Sequence, residues 1–257
     1  MTADTTYWRL LALTSLAGFA LLATFVAAPE LDLMAAAAFF DGAGFGFRAD
    51  EVALARRGYT AAFWVLCVLA ALGLVQRLAL RRHTTTPLAI WLFAAAVPAL
   101  GPGLLVNAVL KENWGRARPD ALALFGGDAR FTLPFEISDA CMTNCSFTSG
   151  EGSSAAAVLV VVVGLFGHRL SGWVLRPLLV LAGAAWLTGA ALLRMLPGKH
   201  FLSDTLFAFI LVALIGFALY AMLGLGRKRA QVGVRDLLAD ILAGPRLAIS
   251  RQQPREP

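Results

Sequence analysis

Charge is what this sequence has least of. Asp, Glu, Lys and Arg make up 15% of its 257 residues, against roughly 25% in ordinary soluble domains. With a mean hydropathy of +0.72, that scarcity excludes a soluble globular domain of usual make-up. Cysteine is nearly as rare, with Cys67, Cys141 and Cys145 alone. Cys67 falls within an apolar run and reads as packing. Cys141 and Cys145 share a polar segment with too few further ligands for a metal site, so none is expected. Their four-residue spacing is short for disulfide geometry but permits it in an oxidising compartment, which leaves their pairing open. Histidine is limited to His83, His168 and His200. Internal repeats and low-complexity tracts are absent apart from Ala/Leu/Val richness, so one domain is expected over residues 1–257.

What is present is apolar: 59% of the residues are hydrophobic. They gather into six runs, roughly Trp8–Ala28, Tyr59–Leu80, Pro87–Leu110, Ser149–Leu170, Val174–Leu193 and Ser203–Leu225. A bilayer core about 30 Å thick needs ~20 apolar residues per helix, and unsatisfied backbone groups in lipid exclude open sheets. The expected fold class is therefore all-α, an integral membrane six-helix bundle. The first run exceeds the ~7–15 residues of a signal-peptide core and reads as a retained helix. The segment between the first two runs, PELDLMAAAAFFDGAGFGFRADE, is too short and glycine-broken to cross, and is expected along the outer interface.

Lys and Arg in the connections set the orientation. With a cytoplasmic N-terminus, 13 of the 22 fall inside and nine outside, and six of those nine lie between Lys111 and Arg118 or between Arg130 and Lys199. Both termini are expected to be cytoplasmic. The basic tail over 227–257 reads either as an amphipathic element on the anionic inner leaflet or as a solvated extension. A pI near 9.8 thus carries no implication of nucleic acid.

Polar residues near a membrane need a reason, and here they cluster three times. In KENWGRARPD, after the third run, Lys111 and Arg118 are seven apart and share a helix face, with Arg116 off it. A snorkelling basic cap would look the same, but an excess of cations on an outer face asks for an anion. In SFTSGEGSS, Ser149 and Gly150 fall at the first turn of the fourth run, where free N–H groups form an anion site; a plain N-cap, Ser149 with Glu151 in the first turn, is the simpler account. In LLRMLPGKHFLSDTL, His200 and Asp204 are four apart, so on a helix the carboxylate can hold one imidazole nitrogen, with Arg194 close by. Alternation of the spans puts all three clusters on one predicted outer face.

Lys111-x6-Arg118-Pro119, Ser149-Gly150 and Arg194-x5-His200-x3-Asp204 together resemble the three-part signature of the type 2 phosphatidic acid phosphatase superfamily, over about residues 111–204. The resemblance implies metal-independent and cofactor-free phosphoester hydrolysis through a phosphohistidine. His200 would be the nucleophile, Asp204 its orienting partner, and Lys111, Arg118 and Arg194 the phosphoryl clamp, with Ser149 and the Gly150 N–H assisting. One position departs. The family's second motif usually reads Ser-Gly-His, its histidine protonating the leaving group, and here Glu151 stands in its place. Three readings stay open: Glu151 is the acid, the leaving group needs no proton, as when a pyrophosphate is split, or the site only binds.

A site level with the headgroups suits a membrane lipid phosphate as partner. The segment from Arg118 to Phe147 resembles bacterial members that act on lipid A or similar glycolipids, which implies an inner-membrane protein with its site facing the periplasm. Undecaprenyl pyrophosphate and phosphatidylglycerol phosphate are the alternative substrates. A non-catalytic lipid-binding or transport protein is the rival class, since Pro98, Gly101, Pro102 and Gly103 would break a helix near mid-membrane.

Overall fold

The computed structural model describes residues 3–48, 50–79, 86–170 and 172–242. Among these there is no strand, only the isolated bridges Phe40–Phe45 and Leu122–Ala129, and six helices are long and apolar enough to span a membrane. The chain is an all-α helical bundle. Arg81, Arg82, His83 and the tail from 243 onward lie outside the described residues.

In chain order the helices are α1 (Ala3–Ala27), α2 (Glu30–Ala37), α3 (Ala53–Leu74), α4 (Leu88–Pro98), α5 (Lys111–Asn113), α6 (Gly150–Phe166), α7 (Leu175–Met195), α8 (Leu202–Met222), α9 (Leu225–Lys228) and α10 (Val234–Leu242). A π-helical stretch, Ala99–Leu110, joins α4 to α5, so one rod runs from Leu88 to Asn113. Proline brings no amide donor, and Pro98 and Pro102 sit in this rod. The ladder widens instead of breaking, and the Pro102 carbonyl accepts from Asn107 Nδ2 at 2.7 Å.

α8 is the central post. Its buried Val212 and Tyr220 share one core with Phe93, Val97, Ala157 and Val161 from α4 and α6, and its Phe207 shares another with Phe25, Leu110 and Phe147. Lipid supplies no hydrophobic drive between helices, so close approach through small residues matters. At Gly216 a Cβ would fall 2.3 Å from Val160 Cγ1, so only glycine lets α6 and α8 meet there.

Two boundaries differ from the sequence reading. The second spanning helix begins at Ala53, six residues ahead of Tyr59, because Arg56 and Arg57 lie within it; a hydropathy reading stops at charges, whereas the helix continues and Arg56 finds an acidic partner, Glu151. The segment after α1 does more than skirt the interface. It forms α2, whose Asp32 is fully buried.

Asp32 explains how one end of the bundle closes. Arg116, also fully buried, donates from Nη2 to Asp32 Oδ2 at 2.8 Å, and from Nη1 to Asp204 Oδ1 at 2.6 Å and Ser203 Oγ at 2.9 Å; its Nε reaches the Thr132 carbonyl at 3.0 Å. Its guanidinium lies 4.2 Å from the Phe201 ring centroid. Asp32 Oδ1 also accepts from the Ser203 amide at 2.8 Å. The connection before α3, the loop before α6 and the first turn of α8 are thereby tied to one cation. At the opposite end α10 docks through Asp240, whose Oδ2 accepts from the Thr86 amide at 2.9 Å. α10 is amphipathic, with Val234, Leu238 and Leu242 exposed at intervals of four.

Removing one partner of a buried ion pair costs about 3–5 kcal/mol. Arg116→Met and Asp32→Ala are each expected to lower stability by that order, and Arg116→Lys to restore little of it because an ammonium cannot span two carboxylates. Thermal unfolding in detergent measures both.

Candidate active site

A cavity of about 550 Å³ opens at the Asp32–Arg116 end. Its polar lining comes from four spanning segments and two connections: Arg56, Asn107, Lys111, Arg118, Asn144, Glu151, Arg194, Lys199 and His200. Five of these are cations, and Glu151 is the carboxylate among them. Lys199 is already neutralised by Asp120.

The helix α6 begins inside this cavity. Ser149 is its N-cap, with Oγ accepting from the Gly152 amide at 3.1 Å. The Ser149 side chain is therefore spent on the helix and does not line the cavity, which is the plain N-cap account. Gly150 and Glu151 follow in the first turn and do line it. A Cβ at Gly150 would sit 2.8 Å from Asn107 Oδ1 and 3.5 Å from Lys111 Cε, so a bare backbone lets the third span lie against the helix N-terminus. That terminus carries the positive end of the helix dipole.

The signature cations are placed by one loop. Lys111 Nζ donates to Asn144 Oδ1 at 2.8 Å, and Arg118 Nη2 donates to the Asn144 carbonyl at 2.8 Å. Asn144 is held with φ +50, a left-handed conformation that asparagine tolerates better than most residues. Cys141 and Cys145 bracket it and are joined in a disulfide, with Cα atoms 5.7 Å apart. The pairing left open by the spacing is thus made. Arg194, at the end of α7, is buried, with Nη1 3.3 Å from Glu151 Oε1.

His200 lies in the turn ahead of α8, not on a helix with Asp204, which revises the shared-face expectation. Its Nδ1 is 2.8 Å from the Ser146 carbonyl and 3.8 Å from Asp204 Oδ2. A carbonyl only accepts, so the proton is on Nδ1 and the lone pair is on Nε2. Asp204 is engaged by Arg116, by Ser146 Oγ at 2.5 Å and by the Phe201 amide at 2.9 Å. Its hold on the imidazole is at one remove: Ser146 gives its hydroxyl to Asp204 and its carbonyl to His200. Burial, with Arg194 and Lys111 adding to it against the pull of Asp204, lowers the His200 pKa to about 4. The free ring is neutral at physiological pH.

The sequence-derived set is brought together in part. Lys111, Arg118, Gly150, Glu151, Arg194 and His200 share the cavity, while Ser149 and Asp204 stand behind it. Four contributors were missed or set aside. Arg56 grips Glu151 with both Nε and Nη2, Asn144 joins two cations, and Arg116 and Asp32 brace Asp204. A pair of carboxylates, Glu30 and Asp32, at the head of an apolar run was the available signal. Nothing in the spacing of Arg56 distinguishes it from Arg57.

The chain belongs to the PAP2 superfamily, whose family profile matches residues 87–227. Among known proteins it is 39% identical over 131 residues to a lipid A 4'-phosphatase of Francisella tularensis subsp. novicida, covering 51% of this chain and 57% of that protein. It is 37% identical over 123 residues to a lipid A 4'-phosphatase of Rhizobium etli, covering 48% and 46%, and equally so to one of Rhizobium leguminosarum, covering 48% and 50%. The chain spans about half the length of the curated relatives it matches. No solved structure matches it.

A ring of cations at a helix N-terminus should hold orthophosphate. Phosphate is expected to raise the melting temperature, with stabilisation growing as RT ln(1 + [L]/Kd), about 2.7 kcal/mol at a hundredfold excess over Kd. Lys111→Met and Arg194→Gln should each abolish most of the shift, as read by thermal unfolding across a phosphate titration.

Proposed function

We propose that the protein is a lipid phosphatase that transfers the phosphoryl group of a membrane lipid to His200 and then to water. The observation that carries this reading is an imidazole, fixed through Nδ1 and presented among Lys111, Arg118 and Arg194 beside the α6 N-terminus. Nε2 attacks phosphorus, the P–N bond forms as the bond to the leaving oxygen breaks, and water then cleaves the phosphohistidine. The cations and the Gly150 N–H stabilise charge on the equatorial oxygens. No step calls for a metal.

In this scheme Glu151, in its protonated form, gives its proton to the leaving oxygen, and the resulting carboxylate takes a proton back from the water that cleaves the phosphohistidine. In the free site it is shared by Arg56 and Arg194. Phosphoryl oxygens compete for Arg194, which leaves Arg56 to keep the carboxylate beside the leaving oxygen. Arg56 is in this scheme a positioning residue. The double ion pair also favours a second reading, in which the leaving group needs no proton because a pyrophosphate is split.

The names of the similar proteins support a lipid A-type glycolipid phosphate as substrate. The disulfide at the cavity rim and the distribution of Lys and Arg support a site facing the periplasm from the inner membrane.

Phosphate release from a panel of lipid monophosphates and pyrophosphates tests the reading. His200→Ala should abolish turnover and EDTA should leave it unchanged. If Glu151 moves the proton, Glu151→Gln should slow monoesters about 10²–10⁴-fold and spare pyrophosphates, with Glu151→His recovering part of the loss. Arg56→Ala should slow the Glu151 enzyme about tenfold or more yet scarcely alter the Glu151→His enzyme; equal effects in both backgrounds would make Arg56 merely structural.

The pH profile is a separate check. Because kcat/KM reports the free enzyme and His200 must be neutral, its acid limb should fall near pH 4. A limb centred near 6.5 would show an unperturbed imidazole.

A further inference from the structure

The polar cavity does not end in a wall of polar groups. Along α3 its lining passes from Arg56 to Tyr59 and Phe63, and along α6 from Glu151 to Ser154. A second cavity, of about 280 Å³ and apolar, takes up both stripes where the first leaves them. On α6, Ser154 lines the polar cavity, and Val158, Val161, Val162, Leu165 and Phe166, related by steps of three and four, line the apolar one. On α3, Phe63 is followed by Leu66 and Ala70. Residues three and four apart share a helix face, so both cavities belong to one seam.

Its length and its ends suit a hydrocarbon chain. From Gly150 to Phe166 the helix rises about 24 Å at 1.5 Å per residue, most of a ~30 Å bilayer core. Val65, Leu69 and Val162 are exposed on its outer edge, so the groove is open sideways to lipid. Its far end is closed by α10, which sets Leu237, Leu238 and Ile241 across it.

We propose that this seam holds one acyl chain of the lipid whose phosphate enters the polar cavity, and that α10 is the floor against which the chain ends. Continuity with the phosphate cavity decides the occupant: a chain placed there belongs to an anionic lipid anchored among Lys111, Arg118 and Arg194, not to neutral bilayer lipid passing the surface. The inference rests on the phosphatase reading for its turnover test. Selectivity for chain length would then reside in α3, α6 and α10, away from the phosphoryl chemistry.

Two measurements separate the groove from the chemistry. Val162→Trp fills the open edge at an exposed position. It should raise KM for dipalmitoyl phosphatidic acid about tenfold and leave dioctanoyl phosphatidic acid unchanged, while Leu238→Ala should shift the preference toward longer chains. An active enzyme whose chain-length dependence does not move in either variant overturns the groove.

The second uses His200→Ala protein, so no turnover is required, and phosphatidic acid bearing a diazirine near the end of one acyl chain. Labels should fall on residues 158–166 and 234–241 and be lost in the Val162→Trp background. Labels spread over the outer faces of α1 and α7, or a matched phosphatidylcholine probe marking the groove equally, would reduce it to ordinary lipid solvation. Intact groove labelling with a wild-type enzyme silent on every lipid would sink the phosphatase reading and keep the binding groove.

Discussion

One buried guanidinium holds the polar end of this bundle together. Arg116 has no exposed surface, and its ion pairs with Asp32 and Asp204 join the segment before α3 and the start of α8 to the loop that carries it. Charges so far from water are tolerated only when fully paired and hydrogen-bonded; here the serine and carbonyl partners complete the set. Asp204 is thereby fixed behind the cavity. The Ser146 backbone and side chain then relay that fixity to His200. The imidazole is oriented by a chain of contacts that starts outside the family-matched region, on α2.

The cations follow a different logic. Arg118 and Lys111 are gathered by one asparagine, while Arg194 and Arg56 are gathered by one glutamate. Self-repulsion among like charges is offset by a small number of shared acceptors, and each of those acceptors occupies space that an anion would want. The site is held in shape by its own acceptors. In the proposed reaction, phosphoryl oxygens would replace Glu151 on Arg194, one charge-assisted contact for another.

Much of this was legible in the sequence and some of it could not be. Length and hydropathy located the spans because a bilayer sets a fixed requirement of about 20 residues, and the three polar clusters stood out because charge is costly near lipid. Boundaries failed where charge continued a helix, as at Arg56 and Arg57. The i, i+4 contact of His200 with Asp204 is present at 3.8 Å, but not on one helix, because α8 begins only at Leu202. Arg116 was set aside because helical spacing put it off the phosphate-facing side, and that was correct as geometry; its partner lay 84 residues away, a separation no local pattern reports. Ser149 looked like a ligand and is a cap, the commoner use of serine at that position.

The disulfide has a meaning beyond the loop it closes. Cys141 and Cys145 flank Asn144, and Asn144 is the acceptor on which both Lys111 and Arg118 converge. The last element needed to seat those cations is therefore set by chemistry that an oxidising compartment performs and a reducing one opposes. A newly made chain still facing reductant would have its helices and its buried Arg116 cluster but an untethered cation loop. The seating of Lys111 and Arg118 is thus coupled to the redox state of Cys141 and Cys145.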